Sequence, residues 1–578
     1  MMAIRQQLEA RIGAALVSAG APDGSKALVG VATRPEFGDY QANGVMAVAK
    51  QLKKSPRELA ATVLENLDLS DVAESVDIAG PGFINVKLKL AWLDAQLNDA
   101  LVDERLGVYQ AESAQKIVID YSHPNLAKEM HVGHLRTTII GDAIARVLEF
   151  CGHQIIRHNH VGDWGTQFGM LIAYMDRLEA KGEDPSSELA DLEAFYQSSR
   201  RLFDSDETFA NTAREYVVKL QSGDAHVRAM WQRFIDESLC HCQEVYNALG
   251  VTLRREDVRA ESDYNDDLPR VIDDLRTKGL LRESDGAQCV FLEEFKSKEG
   301  EITPVIVQKS DGGYLYATTD LSAVRYRAGQ LDADRVLYIV DARQMLHLRQ
   351  VFAVSRAAGY APESCSLEHH AFGTMLGDDG KPFKTRTGGT VKLMDLLREA
   401  QERAFALVGE KNPDLSLEER RQVARVVGIG SVKYADLSLN RTTDYIFNWD
   451  KMLSFEGNTA PYLQYSYARV KSIFRRAEID ESKLGGRIEI AEPAERALAV
   501  KIVQFGEVVD AVARECYPNA LCNYLYELAE LYMKFYEHCP VLKSEESVRA
   551  SRLLLCKMTA RIIARGLGLL GIGTVERM

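Results

Sequence analysis

The stretch Lys116-Ile117-Val118-Ile119-Asp120-Tyr121-Ser122-His123-Pro124-Asn125-Leu126-Ala127-Lys128-Glu129-Met130-His131-Val132-Gly133-His134-Leu135-Arg136 decides the reading of this chain. Its opening is a short apolar, β-branched run, which predicts a buried strand. The continuation, Thr137-Thr138-Ile139-Ile140-Gly141-Asp142-Ala143-Ile144-Ala145-Arg146-Val147-Leu148, carries apolar residues at helical spacing. A strand, a polar turn and a helix thus follow one another, and the first helical turn holds His131 and His134 around Gly133. The first N–H groups of a helix lack internal partners and carry partial positive charge, so this junction suits a phosphate. Gly133 leaves room for a ligand against the backbone. His131 and His134 are three apart, share one helix face, and can both donate hydrogen bonds to phosphate oxygens. Taken alone, His-x-Gly-His also fits two ordinary surface histidines.

Working outward, strand candidates at 116–121, 154–159, 304–308 and 335–340 alternate with helical text, which predicts a parallel sheet. Between about 170 and 300 the chain reads as mainly helical, with charged runs such as Glu179-Ala180-Lys181-Gly182-Glu183-Asp184, and looks like an insertion. The strand Arg335–Val340 ends in Asp341-Ala342-Arg343-Gln344. Ligands in such sheets sit beyond the carboxyl ends of strands, so this loop and the one after residue 121 are expected to face one site. Residues 1–112 look like a separate unit with a helical start. There Ser55 and Pro56 open a helix as N-cap and first helical residue, and Gly80-Pro81-Gly82-Phe83-Ile84-Asn85 forms a turn before strand-like alternation. After the glycine-rich run Gly377–Gly389 the remainder is almost all helical. Leu553, Leu554, Met558, Ile562 and Ile563 have the spacing of a bundle helix.

The length of 578 residues suggests about three or four domains. No uninterrupted apolar stretch reaches the ~18 residues of a membrane span. The opening Met1–Leu8 lacks the apolar core of a signal peptide and reads as an amphipathic helix, so a cytoplasmic protein is expected. Nine dispersed cysteines, without a Cys-x-x-Cys pair, point to reduced thiols and no structural zinc. Cys240-His241-Cys242 could hold a metal, but neighbours on a helix point to different faces, which favours packed thiols. A net charge of −14 does not exclude nucleic acid, because a local basic stripe can meet phosphates. Arg469, Lys471, Arg475 and Arg476 form such a stretch.

The whole stretch around His131 resembles the adenylate-forming signature of class I aminoacyl-tRNA synthetases. Its flanks, Ser122-His123-Pro124-Asn125-Leu126-Ala127-Lys128 and Leu135-Arg136-Thr137-Thr138-Ile139-Ile140-Gly141-Asp142, resemble the arginyl-tRNA synthetase family in particular. So do His160-Val161-Gly162-Asp163-Trp164-Gly165-Thr166-Gln167-Phe168-Gly169, Tyr316-Ala317-Thr318-Thr319-Asp320 and the tail Gly568-Leu569-Leu570-Gly571-Ile572 with Glu576-Arg577-Met578.

The resemblance implies a multidomain α/β protein. A Rossmann-like parallel-sheet catalytic domain (113–390, with the insertion at about 170–300) follows a small N-terminal α/β domain (1–112) that reads the D-loop of tRNA. A helical connector (391–455) leads to an all-helical anticodon-binding domain (456–578). The implied activity is ligation of L-arginine to the terminal adenosine of tRNA(Arg) through an adenylate, with ATP and Mg²⁺, by a monomer that needs tRNA before it activates arginine. Adenylate formation requires a positioned carboxylate and stabilised phosphate charge, not a protein nucleophile. His131 and His134 are the implied stabilisers, with Gly133 beside the nucleotide. The family's mobile Lys-Met-Ser-Lys-Ser loop is replaced here by Lys381-Pro382-Phe383-Lys384-Thr385-Arg386, where Lys384 is the favoured catalytic cation and Lys381 and Arg386 are helpers. A guanidinium is best held by carboxylates; by resemblance Asp120, Asp320 and the Tyr316 hydroxyl hold it, Asn125 binds the backbone end of arginine, and Gln344 lines the pocket. Phe83 and Asn85 match positions that contact tRNA in the N-terminal domain, and Arg469 and Lys471 are candidates at the other end. No editing insertion is seen, consistent with strong rejection of substrates that lack a guanidinium. Two other readings stay open: a His-x-Gly-His nucleotidylyltransferase or pantothenate-synthetase-like ligase, and a non-catalytic tRNA-binding paralogue.

Overall fold

In the computed structural model the described residues are 3–578 without 186–188, 190, 297–299, 382 and 384–390. They form two compact units. One comprises Glu112–Leu453 with Leu569–Ile572; the other runs through Ala111 and takes in Ser454–Gly568 and Gly573–Met578.

The first unit is built on four parallel strands. They are β1 (Lys116–Asp120), β2 (Gln154–His158), β3 (Arg335–Tyr338) and β4 (Ser366–His369), in the order β4-β3-β1-β2. Ile117, Val118 and Ile119 are fully buried, as a central parallel strand covered on both faces requires. Val118 and Val336 pack with Leu321, Val324, Val351 and Val354 from the helices Tyr316–Val324 and Met345–Ala357. The chain leaves β1 to one side for β2 and later returns to its other side for β3. The crevice between β1 and β3 is thus the point where strand order reverses, the usual place for a ligand in an open sheet.

Residues 305–308 do form a strand, but outside the parallel sheet. They pair antiparallel with Ala287–Val290, which pairs with Leu281–Ser284. An apolar run marks a strand without saying which neighbour it takes. The fourth parallel position belongs to Ser366–His369, an edge strand whose polar text hides it. It is tied to β3 by the bidentate pair of Arg335 with Glu368 at 2.7 and 3.0 Å. Residues 192–249 are three helices, Leu192–Ser205, Glu207–Ser222 and Ala225–Leu249. On the last of these Cys240 is exposed and Cys242 buried. The stretch 391–455 supplies two long helices to this unit, Leu393–Lys411 and Leu417–Leu437.

The chain's end returns to the same unit. Lys433, fully buried, donates from Nζ to the carbonyls of Leu249 (2.9 Å) and Gly571 (2.6 Å). Gly571 has φ +67°, and a Cβ there would lie 2.5 Å from Lys433 Nζ, so only glycine fits.

The second unit combines an antiparallel sheet with a helical bundle. The sheet runs in the order Val29–Val31, Tyr40–Ala42, Phe83–Leu88, Ala73–Ala79. The bundle includes Ala460–Arg476, Pro493–Val503, Asn519–His538 and Glu546–Leu569. Leu553, Leu554, Met558, Ile562 and Ile563 are all buried on the last helix. Sheet and bundle are joined by Arg496, which donates to both carboxylate oxygens of Asp39 at 3.0 and 2.7 Å. Among the described residues no helix is long and apolar enough to cross a membrane.

Candidate active site

Strand register sets the floor of the site. At the carboxyl ends, Asp120 of β1 stands between Tyr338 of β3 and His158 of β2. The helix Tyr316–Val324 continues into a π-helical turn, Arg325–Gln330, a rare distortion that clusters at functional sites. That turn carries Arg327 inward, where it is 1% exposed, with Nη2 2.7 Å from Asp120 Oδ2 and Nε donating to His158 Nδ1 at 3.2 Å. Burial alone would raise the pKa of Asp120 and favour its neutral form. The Arg327 charge, with His123 behind it, reverses this and holds the carboxyl well below the usual range. Asp120 is thus a permanent buried anion.

After β1 the backbone turns through two left-handed non-glycine residues, Ser122 (φ 82°) and His123 (φ 51°), each costing about 1–3 kcal/mol. Ser122 is held by its N–H on Thr137 Oγ1 (3.1 Å) and its hydroxyl on Tyr246 (2.8 Å). The turn returns the His123 imidazole to Asp120, Nε2 to Oδ1 at 2.9 Å.

Above this floor lies a cavity of about 310 Å³. Its walls bring together Asp120, Asn125, Tyr316, Asp320 and Gln344. Tyr316 and Asp320 sit one turn apart on a single helix, so both face inward. Tyr316 remains 66% exposed and packs edge-on against His347, with ring centres 4.7 Å apart. His347 Nε2 lies 2.6 Å from Asp320 Oδ2. Asn125 and Gln344 are exposed, and Asn125 Oδ1 accepts the Ala127 N–H at 3.0 Å. His123, His160, Glu261 and His347 also wall the cavity. The sequence reading gives none of these, nor Arg327, a role: His123 and His160 stand inside quoted motifs, whereas Glu261, His347 and Arg327 belong to no motif. Burial pushes Glu261 up to about 7, aided by the charges of Asp163 and Asp320, and pushes Asp163 up to about 6.

The histidine motif is a short 3-10 turn, Val132–His134, before the helix Leu135–Phe150. His131 Nδ1 accepts the Gly133 N–H (3.0 Å), and His134 Nδ1 accepts the His131 N–H (3.1 Å). The rings lie 4.0 Å apart. Burial, then Lys128, lowers the basicity of His131; burial, then His131, brings His134 down to about 3. Both imidazoles are therefore neutral at pH 7. With each Nδ1 an acceptor, each ring proton sits on Nε2, where it can be donated. Gly133 serves this geometry more than a ligand's approach: a Cβ there would lie 2.7 Å from His131 Cε1 and 2.8 Å from Nδ1.

Lys384 and Arg386 lie outside the described residues. Lys381 is exposed in a turn closed by Gly377 N–H on its carbonyl, at 2.8 Å. Just beyond the glycine-rich run, Val391 O accepts the Val132 N–H (3.1 Å) and Leu393 N–H donates to Met130 O (3.0 Å). Val391 and Leu393 are thus anchored at the histidine motif. In the second unit Asn85 is buried and accepts from Gln41 Nε2 at 2.7 Å, whereas Phe83 is half-buried. Arg469 lies 5.0 Å from the Tyr536 ring, and Lys471 pairs with Glu481 at 2.6 Å.

Three family models match the chain. "tRNA synthetases class I (R), catalytic domain" covers residues 96–449, "Arginyl tRNA synthetase N terminal domain" 4–88, and "DALR anticodon binding domain" 463–578. An arginine–tRNA ligase of Hahella chejuensis is 59% identical over 578 residues, 100% of both chains, and one of Marinomonas sp. is 58% identical over 577, again 100% of both. The arginyl-tRNA synthetase of Plasmodium falciparum superposes with a TM-score of 0.86 at 29% identity, and that of Thermus thermophilus with 0.84 at 26%, each covering 100% of both chains. The fold is that of a class I tRNA synthetase. Within that class, the chain belongs to the arginyl-tRNA synthetase family. A free-standing nucleotidylyltransferase and a non-catalytic paralogue are not favoured by agreement over the full length.

Proposed function

We propose that this chain activates L-arginine with ATP and esterifies it to the terminal adenosine of tRNA(Arg), and that the cavity beyond β1 and β3 is where arginine binds. The observation that carries this reading is the meeting of Asp120, Asn125, Tyr316, Asp320 and Gln344 in one cavity.

Two anionic side chains and a phenol suit a guanidinium, which keeps its charge at any working pH. Asp120 offers an anion whose charge is secured by Arg327 from behind. Asp320 offers a second in the same cavity, and Asn125 and Gln344, both exposed there, serve the amino-acid end. With arginine fixed there, its carboxylate oxygen attacks the α-phosphorus of ATP and pyrophosphate leaves. The Nε2–H groups of His131 and His134 stabilise the charge that grows on the phosphate oxygens, being preorganised and neutral, so no proton must first be lost. Lys384, with Lys381 and Arg386, adds positive charge to the phosphates. The 2′-hydroxyl of the terminal adenosine then attacks the adenylate carbonyl and AMP departs.

Mg²⁺ enters with the nucleotide. Such an ion is held chiefly by substrate phosphates and waters. Phe83 stacks on a tRNA base with Asn85 and Gln41 as its polar support, and Arg469 and Lys471 meet backbone phosphate. The test is ATP–pyrophosphate exchange with each amino acid in turn and tRNA present. Arginine alone should support exchange; exchange with another amino acid, or with none, overturns the reading.

A further inference from the structure

The helix Pro493–Val503 carries two charged residues, side by side, that serve different neighbours. Glu495, 1% exposed, accepts from Arg552 Nε at 2.6 Å and so fixes this helix to the last bundle helix, Glu546–Leu569. Arg496 turns to the antiparallel sheet. Besides both oxygens of Asp39, its Nη2 reaches the carbonyl of Leu88 at 3.2 Å, while Asp39 Oδ2 accepts the Leu88 N–H at 2.7 Å. One ion pair thus closes both backbone groups of Leu88. A second clasp lies one residue on, where Glu507 of the helix Phe505–Glu515 accepts from the Tyr40 hydroxyl at 3.0 Å and from the Arg5 N–H at 2.8 Å. Asp39, Tyr40 and Leu88 are all buried.

Leu88 ends the strand that Phe83 begins, and this strand is paired on both sides, with Tyr40–Ala42 and with Ala73–Ala79. A strand held on both sides carries a shift at one end to the other, here over about 17 Å. A bidentate guanidinium–carboxylate pair fixes orientation as well as distance. Mere cohesion of sheet and bundle does not call for it, because apolar residues of similar volume stabilise at least as well as a buried ion pair. What the pair adds is a defined direction.

We propose that Arg496, with Asp39, is a positioning residue for tRNA: it sets where Phe83 stands relative to the helical bundle, so that sheet and bundle engage one tRNA as a single bivalent surface. This rests on the tRNA reading above, in which Phe83 stacks on a base, and on the bundle taking the anticodon arm. Two linked contacts strengthen each other only when their separation matches the ligand, and a slack joint lowers the effective concentration of the second contact. The ordering of such a joint on binding costs further affinity. The ion pair itself touches no RNA, and its effect passes through Phe83.

The test measures the Kd of the full chain for a tRNA(Arg) transcript by filter binding, at one salt concentration because phosphate contacts are salt-dependent. The isolated anticodon stem–loop is the second probe. Loss of one aromatic–base stack in Phe83→Ala should raise the Kd of whole tRNA about fivefold or more. Asp39→Asn with Arg496→Gln leaves no buried charge unpaired, and should raise it about threefold or more, though by no more than Phe83→Ala does. Arg496→Lys keeps the charge without the fork; it should give a smaller rise in the same direction, and stands in for the pair if the pair does not fold. Stem–loop affinity in these brace variants should stay within about twofold of wild type, and adding the same substitutions to Phe83→Ala should change whole-tRNA affinity by less than about twofold. A brace variant that binds whole tRNA like wild type, that weakens the stem–loop equally, or that keeps its full effect without Phe83 overturns the positioning role. Unchanged whole-tRNA binding by Phe83→Ala refutes instead the tRNA reading on which that role stands.

Discussion

Gly133→Ala separates catalysis from folding. The new Cβ would stand 2.7 Å from His131 Cε1 and 2.8 Å from Nδ1. Carbon contacts settle near 3.5 Å, so the imidazole must retreat by roughly 0.8 Å, beyond the ~0.5 Å within which catalytic groups need to be held. The Gly133 N–H bond that fixes the His131 tautomer lengthens with it. Loss of one preorganised donor costs about 2.7–4 kcal/mol in the transition state, or about 10²–10³-fold in rate. The backbone pays almost nothing: Gly133 is exposed, its φ is not in the left-handed region, and the ring it strikes is half-buried. Stability should change by less than about 1 kcal/mol. Single-turnover adenylate formation by rapid quench, with saturating arginine and tRNA, reads the rate, and urea denaturation reads the fold. A variant within threefold of wild type in activation would refute the proposed function of the His131 Nε2–H.

Other outcomes follow from the same geometry. Asp320→Asn should raise the arginine KM by at least about 30-fold, since truncating one partner of a hydrogen-bonded charge pair costs about 2 kcal/mol or more; an equal rise in the ATP KM would place Asp320 elsewhere. Pyrophosphate exchange by nuclease-treated, tRNA-free enzyme should be nearly silent until tRNA with an intact 3′ end is added, through preferential binding to the active arrangement; robust exchange without RNA removes that coupling. His134 stays neutral down to about pH 3 in the fold, whereas an unfolded histidine takes up its proton near 6.5. Between those values the unfolded chain binds the extra proton, so this residue lowers stability as pH falls, by up to about 1.4 kcal/mol per pH unit. The stability advantage of wild type over His134→Asn should therefore shrink from pH 7 to pH 5 in urea titrations, and a widening gap would contradict the buried neutral imidazole.

The candidate site was legible where its residues are contiguous. β1, its polar turn and the helix after it announce themselves because an apolar run, a turn and helical periodicity lie within forty residues. Asp120 and Asp320 could be paired only by resemblance, since no local pattern says that two helices and two strands will bring them to one cavity. Arg327 was hidden in ordinary helical text; what exposes it is the π-helical turn, which periodicity does not report. His123 was in plain view inside the motif, but its meaning depends on two left-handed residues and a carboxylate three positions away. The Ser366–His369 strand was missed because an edge strand can be polar, and the run at 305–308 was assigned to the wrong sheet because hydrophobicity carries no register. The joining of Asp39 to Arg496 spans 457 residues, a distance over which sequence pattern is mute.

The tie between Lys433 and Gly571 bears on how the chain is made. Every other part of the unit around the parallel sheet has been synthesised once Leu453 is in place, but its closing segment, Leu569–Ile572, is translated only after the whole of Ser454–Gly568. Until Gly571 emerges, one carbonyl partner of a buried ammonium group is missing. The unit that would perform aminoacylation can nucleate early and yet be finished only when Leu569–Ile572 has been made, so a transcript cut short before that segment would yield a polypeptide whose parallel-sheet unit lacks its closing piece.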